Sequence, residues 1–153
     1  MKEIIAYEMT CSGEKPALPD IVCTPFDESM WEEYMKMYND CFHGMREALE
    51  IEPYDFYSDI SQIKGREKDI FVFFHEGRLA GSVSCTGNEL DDLTVRKDLQ
   101  RMGFGRKLLR FGMAKIMENG YNEVVLHAAE SNTAAVEMYL SEGFIITSKQ
   151  KVR

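Results

Sequence analysis

What the 153-residue chain lacks narrows its function first. It has no apolar run near the roughly 20 residues that a membrane-spanning helix needs, so a membrane role is set aside. Its first residues, MKEIIAYEMTCSGEKP, place Glu3 directly after Lys2 and hold no sustained apolar core. They do not read as a secretory leader. The four cysteines (Cys11, Cys23, Cys41, Cys85) lie far apart and form no CxxC pair. They read as reduced thiols of a cytoplasmic protein and not as a metal site. Repeats, low-complexity tracts and linkers are missing, and the length suits one domain over residues 1–153. A net positive charge is missing too: the formal charge is −8, which argues against a nucleic-acid partner.

The residues present are those of an ordinary globular chain, 44% hydrophobic and 29% charged. The charge is unevenly spread. Between Arg96 and Lys115 stand seven cations (Arg96, Lys97, Arg101, Arg106, Lys107, Arg110, Lys115) against one anion, Asp98. That window carries +6, so the rest of the chain carries −14 (−8 − 6). A basic segment in an acidic chain suits a small polyanion held at one place; it also suits a solvated helix face.

Periodicity divides the chain into elements. Glu3–Met9 is a short strand candidate, Ser12–Asp20 a Pro/Gly loop, and Ile21–Phe26 a strand. The segment DESMWEEYMKMYNDCF carries Met30, Trp31, Tyr34, Met37, Tyr38 and Phe42 at helical spacing, with Asp27 or Ser29 as N-cap. That aromatic and methionine stripe reads as core. A shorter helix is expected after Pro53, in PYDFYSDISQI. Three strands follow, Asp69–Glu76, Arg78–Gly87 and Asn88–Val95, with turn pairs at Glu76-Gly77 and Gly87-Asn88. A helix runs to about Asn119 with Leu108, Leu109, Gly112, Met113 and Ile116 on one face, and Gly120 closes it. EVVLHAA reads as a buried parallel strand, SNTAAVEMYLSEGF as a helix capped by Ser131 or Asn132, and FIITSKQKVR as a last strand. From Ile21 onward the order is β-α-α-β-β-β-α-β-α-β. This predicts an α/β (α+β) domain, a mixed sheet with helices on both faces.

The segment LQRMGFGRKLL (Leu99–Leu109) stands where a strand gives way to a helix. Backbone N–H groups there can face phosphate oxygens with the helix dipole behind them. Two nucleotide loops are excluded by spacing. GxxxxGK[ST] does not occur, and the third glycine of GxGxxG is replaced by Leu108. What does occur is Gln100-Arg101-Met102-Gly103-Phe104-Gly105, a Q/R-x-x-G-x-G/A pattern, directly after a strand ending Leu-Thr-Val. About thirty residues later come Asn132 and then Tyr139 in MYLSEGF.

Over roughly Asp69–Lys149 this arrangement resembles the GCN5-related N-acetyltransferase (GNAT) superfamily. The resemblance implies a mostly antiparallel sheet with two parallel strands splayed into a cleft, acetyl-CoA as cosubstrate, no metal, and direct attack of an amine on the thioester. It implies a pyrophosphate on the backbone of Arg101–Arg106, with Gly103 and Gly105 allowing close approach and Arg101 and Arg106 adding charge. It also implies backbone contacts to pantetheine from Leu93 and Val95, with the Leu93 N–H as oxyanion donor. Asn132 would bind pantetheine or phosphate, or serve as a plain N-cap. Tyr139 would supply the proton for the departing thiolate. Glu89, six residues before Val95, matches a family general base, and Asp91 and Asp92 are its rivals; a bulge there would make strand alternation unable to rank them. His127 would line the cleft or sit as a structural histidine.

In this family the acceptor groove is built from the first two helices, where this chain carries Glu47, Glu50, Glu52, Asp55 and Asp59. Such acids would favour a cationic amine, or be ordinary surface groups. One departure is plain: no strand follows the one beginning at Gly143-Phe144. The sheet edge would be completed by Glu3–Met9, by a partner chain in a homodimer, or not at all. Two activities fit these features: an acetyl-CoA-dependent N-acetyltransferase, or a CoA-binding regulatory module of the same fold.

Overall fold

The computed structural model describes residues 2–153. Its strands are β1 (Ile5–Ser12), β2 (Thr24–Pro25), β3 (Ile70–His75), β4 (Arg78–Thr86), β5 (Glu89–Val95), β6 (Glu123–Ala129) and β7 (Ile145–Lys151). Its helices are α1 (Trp31–Ala48), α2 (Phe104–Glu118) and α3 (Thr133–Ser141). The strands form one sheet in the order β2-β3-β4-β5-β6-β1-β7. Every pairing is antiparallel except that of β5 with β6.

The turn pairs that predicted the β3-β4-β5 meander are in place, with Glu76, Gly77 and Gly87 at positive φ between the strands, and helices cover both faces of the sheet. α2 presents buried Leu108, Leu109, Gly112, Met113 and Ile116 to one face. The approach is close at Gly112, where a Cβ would meet Leu90 Cδ1 at 2.6 Å and Val83 Cγ2 at 3.3 Å. α3 adds Val136 and Tyr139 to the same core. α1 covers the other face with Trp31, Tyr34 and Met37 against Ile70, Val72 and Leu79. Asp27 accepts from Ser29 N at 2.9 Å and starts the 3-10 turn (Glu28–Met30) that leads into α1.

Three expectations change. No α-helix follows Pro53; the segment folds into a 3-10 turn over Ile60–Ile63. There Asp59 and Gln62 form a reciprocal capping box, satisfying locally the backbone groups a longer helix would have paired. The strand Ile21–Phe26 shrinks to Thr24–Pro25, since proline brings no N–H to a ladder and sits here on the sheet edge. The opening strand begins and ends later than Glu3–Met9 and does not lie at an edge. β1 inserts between β6 and β7, with Glu8 opposite both His127 and Ser148. β1 thus fills the carboxyl side of the sheet from within, and β7 forms its edge.

Candidate active site

The site is built where β5 leaves its neighbours. β5 and β6 pair at one position among the described residues, Glu89 with Val125, supported by Val125 N donating to Asn88 O at 2.9 Å. Beyond it the two strands part. On the other edge of β5 the register against β4 shifts: Ser84 faces Asp91 and Ser82 faces Thr94, so Asp92 and Leu93 together oppose Val83. This is a β-bulge, and Asp92 adopts φ +49 within it. Local bonds hold that unfavourable backbone: Asp92 N donates to Asp91 Oδ1 at 2.9 Å, and Thr94 Oγ1 donates to Asp92 O at 3.1 Å.

The bulge decides which way the acids face. Asp92 turns toward α1, and the exposed Asp91 stands next to it. Tyr38 donates to Asp92 Oδ1 at 3.2 Å. Burial, then the nearby Asp91 charge, pushes the Asp92 carboxyl up to about 6, while Tyr38 and Arg66 pull it back. Tyr38 was read as core; it is half-buried, with ring centroids 4.6 Å from both Phe42 and Tyr57. No spacing signal marks this contact, because its partner lies 54 residues away.

Glu89 lies at the closed end of the splay. His127 reaches Glu89 Oε1 at 3.3 Å through Nδ1 and Glu8 Oε2 at 3.5 Å through Nε2. Tyr139, on α3, is buried and packs against Phe144 with centroids 6.0 Å apart. Burial, with Asp91 adding to it, pushes its phenol up to about 12, so it stays protonated at neutral pH. Asn132 caps α3, its side chain accepting from Ala135 N at 3.4 Å.

Leu93 and Val95 pack into the core below α2. The Val95 carbonyl already accepts from Gln100 Nε2 at 3.0 Å and from Cys41 Sγ at 3.1 Å. Arg101 (φ +67) and Gly103 (φ +89) both take left-handed conformations ahead of α2. Met102 is exposed, and Phe104 packs on Phe73 with centroids 5.1 Å apart. Gly103 supplies no side-chain cap to α2. The first N–H groups of that helix therefore have no acceptor within it, which fits a phosphate. A Cβ on Gly103 would meet nothing within 4 Å, and one on Gly105 would make only ordinary contacts with Val95 and Met138. Packing within the chain does not demand glycine at Gly105.

The cations are less available than the sequence suggests. Arg106 Nη1 bonds Glu142 Oε2 at 2.5 Å and Ser141 Oγ at 2.9 Å. Arg110 Nε bonds Glu142 Oε1 at 2.6 Å. Glu142 is nearly buried at the end of α3, where a carboxylate opposes the helix dipole. The guanidiniums, Arg110 first, hold its carboxyl below the usual range. Lys107 pairs with Asp20 at 2.9 Å. Arg101 makes no ion pair among the described residues. Of the acids around the end of α1, Asp55 and Glu47 flank His43 at 2.8 and 3.3 Å, and Asp59 caps its turn. A cleft of about 530 Å³ lies beside them, lined by Cys41, His43, Asp55, Arg96 and Lys97 among others.

Known proteins resemble this chain in sequence or in fold. Streptothricin acetyltransferase A of Bacillus subtilis is 25% identical over 136 residues, covering 86% of this chain and 70% of that protein. N-alpha-acetyltransferase MAK3 of Arabidopsis thaliana is 30% identical over 83 residues, 49% of this chain and 44% of that one. A putative GNAT-family acetyltransferase from Novosphingobium aromaticivorans superposes with a TM-score of 0.74 at 19% identity, over 97% of this chain and 62% of that one, a likeness of fold. The chain thus spans less than two thirds of that neighbour. The model of the Acetyltransferase (GNAT) family matches residues 30–144, and the chain belongs to that family.

Proposed function

We propose that the protein transfers the acetyl group of acetyl-CoA to a primary amine. The observation that carries this reading is the bulge at Asp92: it opens the splay beside β6 and stands just ahead of the uncapped start of α2. The amide groups of Gly103–Arg106 hold the pyrophosphate, and Arg101 adds charge. Acetyl-CoA supplies an activated thioester carbonyl. The Leu93 N–H stabilises charge on the carbonyl oxygen. Tyr139 donates a hydrogen bond to the sulfur as it departs, and Asn132 stays at the start of α3 beside the pantetheine.

An amine arrives mostly protonated at neutral pH, with a pKa near 10, so attack needs a base. Asp92 takes that role here. What favours it over Glu89 is place and environment: Glu89 is held by His127 at the closed end of the splay, whereas Asp92 stands at the open end beside Tyr38. Glu8, Glu89, Asp91 and Asp92 make this side of the sheet acidic, which favours a cationic acceptor. The relative's name makes streptothricin one acceptor to test.

Thiol release from acetyl-CoA, measured with spermidine, streptothricin and a lysine peptide, should rise above background with at least one of them. Stabilisation by CoA without thiol release from any amine would favour a CoA-binding module. Gly103→Leu tests the loop. A Cβ there meets nothing within 4 Å, so stability should fall chiefly by the left-handed cost, about 1–2 kcal/mol. Stabilisation by CoA should vanish; its persistence would refute the phosphate assignment.

A further inference from the structure

Resting on that reading, the surroundings of Asp92 assign work to a residue outside the reaction centre. The groups facing the carboxylate come from three segments. β5 brings Asp91 and Glu89, α1 brings Tyr38 and Tyr34, and the segment before β3 brings Tyr57 and Arg66. Only Tyr38 reaches it with a hydrogen bond, at 3.2 Å, among the described residues. Arg66 is held in place by Tyr57, its Nη2 donating to the phenol oxygen at 3.4 Å. Tyr57 is in turn buried against Trp31, Tyr34 and Tyr38, with centroids 5.4, 5.9 and 4.6 Å apart. An aromatic wall thus brings one hydroxyl onto the carboxylate that the bulge has turned to meet it, and fixes a guanidinium close enough to favour its charge.

We propose that Tyr38 is a positioning residue: its hydroxyl orients the Asp92 carboxylate at the mouth of the splay to accept a proton from the acceptor ammonium. Without the hydroxyl and the guanidinium, burial and the Asp91 charge leave Asp92 protonated up to a higher pH, and a protonated carboxyl takes no proton. Asp91 works in the opposite direction. The arrangement therefore sets the lower pH limit of the enzyme by a balance of neighbours.

The test is a carbon-13 NMR titration of the aspartate carboxyls, with the Asp92 signal assigned by its loss in Asp92→Asn. Tyr38→Phe keeps the ring and its packing and should raise the Asp92 midpoint by about half to one pH unit, the worth of one hydrogen bond to a charge at a half-exposed site. Arg66→Gln should raise it as well, and Asp91→Asn should lower it. An unchanged midpoint in Tyr38→Phe, with the fold intact by thermal melting, would overturn the proposal. The underlying reading fails separately. If the acid limb of thiol release persists in Asp92→Asn with the best acceptor, Asp92 is not the base, whatever its titration shows. If that limb is lost but Tyr38→Phe leaves it in place, the base stands and the role of Tyr38 falls.

Discussion

The two faces of the sheet are covered by different chemistry. Toward α2 and α3 the core is chiefly aliphatic and close-packed: Leu90, Leu108, Leu109, Ile116, Val83 and Val124 are all buried, and Gly112 lets the helix touch the strands. Toward α1 the covering is aromatic and hydroxylated. The buried sheet polar residues Ser82, Ser84 and Thr94 point there by strand alternation, beneath Trp31, Tyr34 and Tyr57. One face is filled for stability. The other spends part of its packing on holding a half-buried carboxylate. If that division is real, substitutions on the first face should change stability without changing the titration of Asp92, and Tyr38→Phe on the second should shift that titration.

The largest expected effect is on the aliphatic face. Leu109→Ala removes a fully buried side chain and should cost about 3 kcal/mol, a fall of about 6–12 °C in Tm for a domain of this size. The Asp92 midpoint should not move. A shift as large as that of Tyr38→Phe would show that the faces are not independent.

A smaller effect belongs to the joint between α2 and α3. Glu142→Gln removes the charge that two half-exposed arginines share, for about 1–2 kcal/mol at pH 7 after allowance for solvent. The folded carboxyl titrates below its unfolded value, so this stability is present above the unfolded pKa and is lost as pH falls through the folded one. Melting curves of wild type and variant should converge as pH falls below the folded carboxyl's titration. A gap that persists once the carboxyl is protonated would mean that the loss is one of packing and not of charge.

How much of this was legible depended on the range of the interactions. α2 and its loop were readable because their signals are local: apolar residues at helical spacing, and two glycines at a strand-to-helix junction. The β3-β4-β5 meander was readable for the same reason, from Gly77 and Gly87 at its turns. The place of β1 was not, because a strand's own residues do not say which distant strand it pairs with; its role in completing the sheet was one option among three. The segment after Pro53 misled because its spacing suits a helix while Asp59 and Gln62 satisfy its backbone in a single turn. Within the site, Gln100–Arg106 could be located by motif, but the capture of Arg106 and Arg110 by Glu142 is a contact across 32 or more residues. The ranking of Glu89, Asp91 and Asp92 needed the bulge, since one inserted residue reverses the facing that alternation would assign.

The smallest effect separates the two faces most sharply, because its sign is reversed. The Asp92 carboxyl titrates higher folded than unfolded, at about 6, so its ionisation opposes folding. That cost is absent below the unfolded pKa near 4, grows as pH rises and is complete above the folded value. Asp92→Asn should therefore melt about 2–4 °C higher than wild type at pH 8, for about 1 kcal/mol after allowance for solvent, and should lose the advantage near pH 4. Thiol release should fall in the same variant. A residue whose removal stabilises the fold is kept for something other than the fold, and a substitution at Asp92 that lowered Tm at pH 8 would remove that argument.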